Sequence, residues 1–251
     1  MKKYSTEEVK FWGEEYGKVY PQLEVARPYK KLIKDMNEAI GQSVSGKWLD
    51  VGCGSGAMVE IIWQASAGKA EEITAFDLTE TMLKYTQDKV DKLLAPGDRG
   101  KIKLLQHDLS YKLPFADGYF DGIVANLVLP YVINHEGAEG KAALRAVLRE
   151  MYRVLKPGGK FVWSSPVKNV NFWMVFFSSW REILDPREIK NLYYGPAILS
   201  HALKIQKKGK DSVYSFLDKA ELAELLESLD FKDIEIKRSF AGQALVLKSS
   251  K

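Results

Sequence analysis

The sequence predicts an α/β protein: a seven-stranded, mostly parallel sheet with helices on both faces, a final antiparallel strand, N-terminal helices and an inserted lid. Three observations predict it. Between about residues 46 and 165, short apolar runs alternate with amphipathic stretches of helical period, as in strand–helix units whose sheet is covered on both faces. A glycine-rich turn, Gly52-Cys53-Gly54-Ser55-Gly56, joins the first apolar run to its helix. Near the end, two apolar runs flank Ala241-Gly242-Gln243, a hairpin signal that reverses one strand.

Each element follows in order. Ser5-x-x-Glu8 has the form of a capping box and predicts a helix from near Thr6. Trp12, Tyr16 and Tyr20 follow at a spacing of four, and Pro28 interrupts before a second helix over 29–40. Strands are expected at 47–51, 72–76, 101–106 and 120–125, with helices from 57, over 80–94 and over 141–155. Pro157-Gly158-Gly159 is expected to end the last of these before a strand at 160–164. An aromatic and basic segment runs from Pro166 to about Asp211. Asp218-x-x-Glu221 then opens a helix to Leu229, ahead of strands at 234–238 and 244–247. The expectation is one domain: a helical leader (1–45), a ligand-binding core (46–165), a variable lid (166–211) and a closing helix with strands (212–251).

Composition narrows the function classes. At 251 residues, 46% hydrophobic and 28% charged, the chain can bury a large core and does not read as disordered. Its net charge of +4 is spread along the chain, too weak to indicate a nucleic-acid partner. The lone Cys53 excludes an internal disulfide, and no Cys/His spacing suggests zinc. The basic N-terminus has no apolar run behind it, and the most apolar stretch, 170–180, is too short to span a bilayer. A cytoplasmic protein is expected.

The glycine loop carries the strongest chemical signal. Leu49-Asp50-Val51-Gly52-Cys53-Gly54-Ser55-Gly56 lets the backbone approach a ligand beside a helix N-terminus. Gly52, Gly54 and Ala57 also satisfy the dinucleotide fingerprint of a Rossmann-like fold, and a tight turn without a ligand is the plain alternative. Asp50 separates the two ligand readings, because a carboxylate there repels a pyrophosphate but suits a sulfonium or an ammonium. Asp77, closing the second strand, offers two acceptor oxygens to ribose hydroxyls, or caps the next helix. Asp108 either accepts from an adenine amino group, with Leu109 on the ring, or caps the turn into Ser110.

Taken in order, Asp50-x-Gly52-x-Gly54-x-Gly56, Asp77, Asp108-Leu109, Phe120-Asp121-Gly122-Ile123 and Arg153-Val154-Leu155-Lys156-Pro157-Gly158-Gly159 resemble the class I S-adenosylmethionine-dependent methyltransferases. The resemblance is to the broad group that includes the ubiquinone/menaquinone-biosynthesis C-methyltransferases, and it covers about residues 47–163. It implies S-adenosylmethionine as cofactor, with Asp50 and Gly52 on the methionine part and Gly54 making room for it. It further implies Asp77 at the ribose with Leu78 and Met82 alongside, Asp108 and Leu109 at the adenine, and Asn126 near the methyl group. Asn126-Leu127-Val128-Leu129 departs from the Asn/Asp-Pro-Pro-Tyr/Phe motif of amino-methylating nucleic-acid enzymes. The metal-binding acids of catechol O-methyltransferases have no evident counterpart either.

Trp12, Tyr16 and Tyr20 read as an aromatic stripe closing over the cofactor or as core packing of the leader. No catalytic residue is named, since alignment alone can carry a methyl displacement. His135 and His201 could supply a base or simply pack, while His107 is expected to support the adenine site. On a helix, Phe172, Trp173, Phe176, Phe177 and Trp180 share one face, read as lid core, as the wall of an acceptor pocket or as a membrane-interface face. Lys204, Lys207, Lys208 and Lys210 read as a solvated connection or as contacts to anionic lipid. The leading reading is methyl transfer to a small acceptor, with lipophilic or aromatic molecules in view. An NAD-dependent oxidoreductase on the same loop, an RNA- or lipid-directed methyltransferase and a non-catalytic binding partner are the alternatives. Nucleic acid is not an expected partner, and peripheral membrane contact through 170–210 is an open reading.

Overall fold

A computed structural model of the protein describes residues 9–17, 24, 26–178 and 189–251, with the backbone alone for 189–194. Ser5, Thr6, Glu8, Tyr20 and Trp180 lie outside these residues, and with them the expected capping box, the cofactor role of Tyr20 and the end of the aromatic stripe. The elements in chain order are α1 (Lys10–Tyr16, wound as a π-helix), α2 (Arg27–Ile40), β1 (Gly46–Val51), α3 (Ala57–Ser66), β2 (Ala70–Asp77), α4 (Glu80–Leu93), β3 (Ile102–Gln106) and β4 (Phe120–Asn126). A short hairpin, β5 (Asn134–His135) and β6 (Ala138–Glu139), precedes α5 (Lys141–Val154) and β7 (Leu155–Pro166). The chain closes with α6 (Phe172–Ser178), α7 (Ile189–Lys210), α8 (Lys219–Glu227), β8 (Lys232–Ser239) and β9 (Ala244–Ser250).

Seven strands form one sheet in the order β3-β2-β1-β4-β7-β9-β8. β9 runs antiparallel to both neighbours, and the remaining pairs are parallel. The expected architecture is therefore present, including the reversed strand made by the hairpin at Ala241 and Gly242, both at positive φ. Residues 48–51 of β1 are all buried, so the strand is covered on both faces. Its alternation sends Leu49 and Val51 toward α5 and α8, where Leu144, Val147, Leu222 and Leu226 meet them. Trp48 points the other way, toward Leu32, Met36 and Ile40 of α2 and Met58 and Ile62 of α3.

Several boundaries differ from expectation for physical reasons. Pro28 does not interrupt the chain ahead of α2 but sits in its first turn, where a missing N–H leaves no bond unmade. Pro157-Gly158-Gly159 lies inside β7 rather than before it: Leu155 already pairs with Phe120, and pairing resumes at Gly122 with Lys160. The lysine run is not a loose connection. It forms the last turns of α7, which continues through Pro196. Asp218 and Glu221 make the expected reciprocal cap of α8. Among the described residues, no helix is long and apolar enough to cross a membrane.

The strand order reverses between β1 and β4, which opens a crevice at their carboxyl ends. The glycine loop and the ends of β2, β3 and β4 all deliver residues there. A third apolar cluster, Phe11, Val170, Ile205, Tyr214 and Phe216 with Trp12, Tyr16 and Tyr131 against it, roofs the crevice.

Candidate functional site

The crevice holds a cavity of about 190 Å3 lined by Gly52, Gly54, Asp77, Leu78, Met82, Asp108, Leu109 and Asn126. Eight of the ten residues singled out from sequence thus meet on one wall. Asp50 does not reach it, and Tyr20 is not described.

The loop is fastened to its neighbours by backbone. The Cys53 amide donates to the Phe76 carbonyl at 2.9 Å, and the Gly54 amide donates to Asp77 Oδ2 at 3.1 Å. Thr86 Oγ1, on α4, donates to the Gly54 carbonyl at 2.9 Å. Gly52 has φ +64°, and a Cβ there would lie 2.4 Å from Val128 Cγ2, so only glycine lets the loop pass the turn after β4. Asp77 Oδ1 accepts from the amide and hydroxyl of Thr79 at 3.0 and 3.2 Å. Thr79, not Asp77, caps α4. Asp77 is therefore a stitch between loop and helix as well as a wall residue, with lone pairs left toward the cavity. Asp108 Oδ1 accepts from the Ser110 amide at 2.8 Å, the turn-capping contact, and the residue still faces the cavity.

Asp50 lies beneath the loop, 1% exposed, and neither of its oxygens has a hydrogen-bond partner among the described residues. Burial pushes its carboxyl up to about 8, and the charge of Asp77 adds to the effect. The Val59 amide opposes the rise without reaching hydrogen-bonding geometry. Burial also raises Asp77. Asp77 on the wall makes this end of the cavity suited to a cation and hostile to a pyrophosphate, and Asp50 beneath the loop adds its charge only as it ionises near pH 8. S-adenosylmethionine, with its sulfonium and ammonium, fits that donor set.

Asn126 is oriented by Ser164, whose hydroxyl donates to Asn126 Oδ1 at 2.7 Å and accepts from the Leu127 amide at 2.9 Å. Asn126 Nδ2 donates to the Tyr29 hydroxyl at 3.3 Å. The rest of the wall comes from Trp12 and Tyr16 of α1 and from Val128, Tyr131, Val132 and Ile133 after β4. Trp12 packs on Tyr16 and Tyr131 with ring centroids 5.2 and 5.1 Å apart. Burial raises the phenols of Tyr16 and Tyr131, which keeps both neutral, as donors rather than bases.

Sequence reasoning missed Tyr29 and the run Val128–Ile133. The apolar stretch between β4 and α5 belonged to no predicted element, and that was the available signal. The aromatic stripe of α6 is not on the wall: Phe172 and Phe176 flank the core-facing Val175, while Trp173 and Phe177, rotated outward, are exposed. The histidines divide by role. His135 Nδ1 donates to the Leu109 carbonyl at 2.6 Å and pins that turn. His107 sits on the wall edge-on to Phe76. His201 packs between Phe11 and Tyr16, off the wall.

A model of the methyltransferase domain family matches residues 49–163, the segment that builds the loop and the ends of β2, β3 and β4. With that fold and that donor set, the chain is a class I S-adenosylmethionine-dependent methyltransferase. It is 29% identical over 225 residues to a demethylmenaquinone methyltransferase of Staphylococcus aureus (strain MRSA252), covering 85% of this chain and 77% of that protein. It is 27% identical over 221 residues to the demethylmenaquinone methyltransferase of Geobacillus sp. (strain WCH70), covering 87% and 84%. Among solved structures, the fold is shared with magnesium protoporphyrin IX methyltransferase from Synechocystis PCC 6803 with bound SAH (TM-score 0.62, 13% identity, 99% and 100% covered). It is also shared with a SAM-dependent methyltransferase from Aquifex aeolicus (TM-score 0.55, 18% identity, 98% of each chain).

Proposed function

We propose that the chain methylates a flat, apolar small molecule bearing a ring hydroxyl, of the quinol type. The observation that carries this reading is the second half of the cavity wall, where Trp12, Tyr16, Tyr131, Val128, Val132 and Ile133 present rings and aliphatic groups. Such a wall accepts a planar apolar ring by face or edge contact, and neutral phenols there can donate to a ring oxygen. The two demethylmenaquinone methyltransferases named above support a quinone-like acceptor.

In this reading Asp77 takes the ribose hydroxyls, with Leu78 and Met82 beside them, and Asp108 with Leu109 takes the adenine. Gly52 and Gly54 pass the methionine part, and Asp50, once ionised near pH 8, supplies charge from beneath. When bound, S-adenosylmethionine supplies an electrophilic methyl group on a sulfonium. The protein's own contribution is to align the acceptor: Asn126, held by Ser164 and Tyr29, fixes the polar corner, and the rings exclude water. The test is transfer of a labelled methyl group to a reduced demethylnaphthoquinol, compared with a sterol and with RNA. Turnover on the quinol, together with a raised acceptor KM when Tyr131 is replaced, supports the reading. Turnover on RNA alone overturns it.

A further inference from the structure

We infer that the outer face of α6 and α7 docks on an anionic membrane surface, Trp173 and Phe177 entering the headgroup layer and Lys207 and Lys210 meeting lipid phosphates. The inference extends the apolar-acceptor reading, since such an acceptor resides in lipid, but its evidence is separate.

Three large apolar side chains on one short helix are exposed: Trp173 at 43%, Met174 at 53% and Phe177 at 63%. Single exposed apolar residues are ordinary, but a cluster on one element marks a contact surface. The helix is held from the other side. Val175 is buried, the Phe172 amide donates to Gln206 Oε1 of α7 at 2.9 Å, and Gln243 Nε2 donates to Met174 Sδ at 3.5 Å. Trp173 and Phe177 stack on each other with centroids 6.0 Å apart. The aromatic pair is thus presented on a fixed helix rather than folded under it, and tryptophan is suited to the interface because one end is apolar and the other wet.

Charge supplies the identity of the partner. Next to Gln206, α7 carries Lys204, Lys207 and Lys210, all exposed and spaced three apart on one side. Lys204 pairs with Glu15 at 3.3 Å, while Lys207 and Lys210 have no ion pair among the described residues. Lys208 turns inward over the rings of Phe11 and Tyr214. Asp211 is the acid that follows. Cations on α7, the helix packed against α6, match an anionic headgroup layer. A second copy of this chain fits less well, because a two-fold contact would set the same lysines against each other.

The same elements reach the cavity from behind. Phe172 of α6 and Ile205 of α7 belong to the cluster that holds Trp12, Tyr16 and Tyr131. A membrane bound on the outer face is therefore separated from the apolar wall by α6, α7 and the side chains through which they pack on that cluster.

The test is co-sedimentation of the full chain, without cofactor or acceptor, with vesicles of equimolar phosphatidylglycerol and phosphatidylcholine, and with phosphatidylcholine alone. Binding to the anionic vesicles that falls with added salt is expected. K207E/K210E should weaken it by about tenfold or more, and W173S/F177S by a similar factor of about ten. Thermal unfolding with and without S-adenosylhomocysteine checks that both variants keep their fold and cofactor site. Absence of vesicle binding, equal binding to both vesicle types, or binding unchanged in either variant overturns the inference. So does a dimer that the same variants dissociate, which would make this face an interface between copies. Because no acceptor is present, a failed quinol assay leaves this result standing, and a failed vesicle assay leaves the acceptor reading intact.

Discussion

The two halves of the cavity are built by opposite means. The cofactor half is backbone: the loop is fixed by the Cys53–Phe76 and Gly54–Asp77 hydrogen bonds, and its path is set by a glycine with no room for a Cβ. The acceptor half is side chains: rings from α1 and from the turn after β4 lean on one another, with α7 behind them. A hydrogen-bonded backbone wall tolerates little displacement, whereas a wall of packed rings adapts by rotamer. One cofactor geometry can therefore serve differing acceptors.

The comparison breaks or holds first at Gly52. Gly52→Ala places a methyl against Val128 at a residue with φ +64°. Contact and backbone strain together should cost about 3 kcal/mol or more and remove S-adenosylhomocysteine binding. Adding Val128→Ala relieves the contact but not the strain, so the double variant should recover only part of the stability by thermal unfolding. Asp77→Ala is next. If Asp77 takes the ribose as proposed, its loss should weaken S-adenosylhomocysteine binding by at least about tenfold. Because Gly54 and Thr79 lose their acceptor as well, stability should fall by about 1–3 kcal/mol. Calorimetry showing unchanged affinity in the folded variant would reduce Asp77 to its stitching role.

Asp50 gives the cofactor half a pH dependence that the acceptor half lacks. Its carboxyl is raised from 3.8 to about 8, so between those values the native protein keeps a proton that the unfolded chain has lost. Stability from this group is complete at low pH and is lost as pH rises through the native value, by on the order of a few kcal/mol. Binding of a cation runs the other way, because the ionised form is the one that attracts it. S-adenosylmethionine affinity should therefore increase over the same window, and Asp50→Asn should flatten both profiles. A wild-type affinity that does not change from pH 6 to 9, or an unchanged slope in the variant, would detach Asp50 from the cofactor. That range brackets the value of about 8.

The contrast between the halves also explains what was legible in the sequence. Glycines, a carboxylate closing a strand and a strand–turn–helix period are local signals, and Gly52, Gly54, Asp77 and Asp108 meet where that pattern places them. Asp50 shows the limit: its position was legible, but its burial beneath the loop depends on packing by α3 and β2. Tyr29 and Tyr131 reach the wall from positions about a hundred residues apart, with no shared period to link them. The stripe of α6 had a clear period, and period alone could not say which edge faces inward. Val175, one apolar residue among rings, decides it.

The smaller effects belong to the acceptor half. Tyr131→Leu keeps apolar bulk but loses a hydroxyl, the tilted ring contact with Trp12 and the edge contacts with Tyr214 and Phe216, at a cost of about 1–2 kcal/mol. Acceptor KM should rise about tenfold, with S-adenosylhomocysteine affinity within about twofold of wild type. Equal losses on both ligands would mean that the halves are not separable. Phe177→Ser should do least of all. Its ring is 63% exposed and absent from the wall, so folding stability should move by no more than about 0.5 kcal/mol. Turnover on a water-soluble acceptor analogue should be unchanged, because the ring does not line the cavity. A large loss of stability would show that Phe177 is buried core. A loss of turnover at full stability would bring α6 back onto the acceptor wall and erase the boundary between an inner face that shapes the cavity and an outer face that does not.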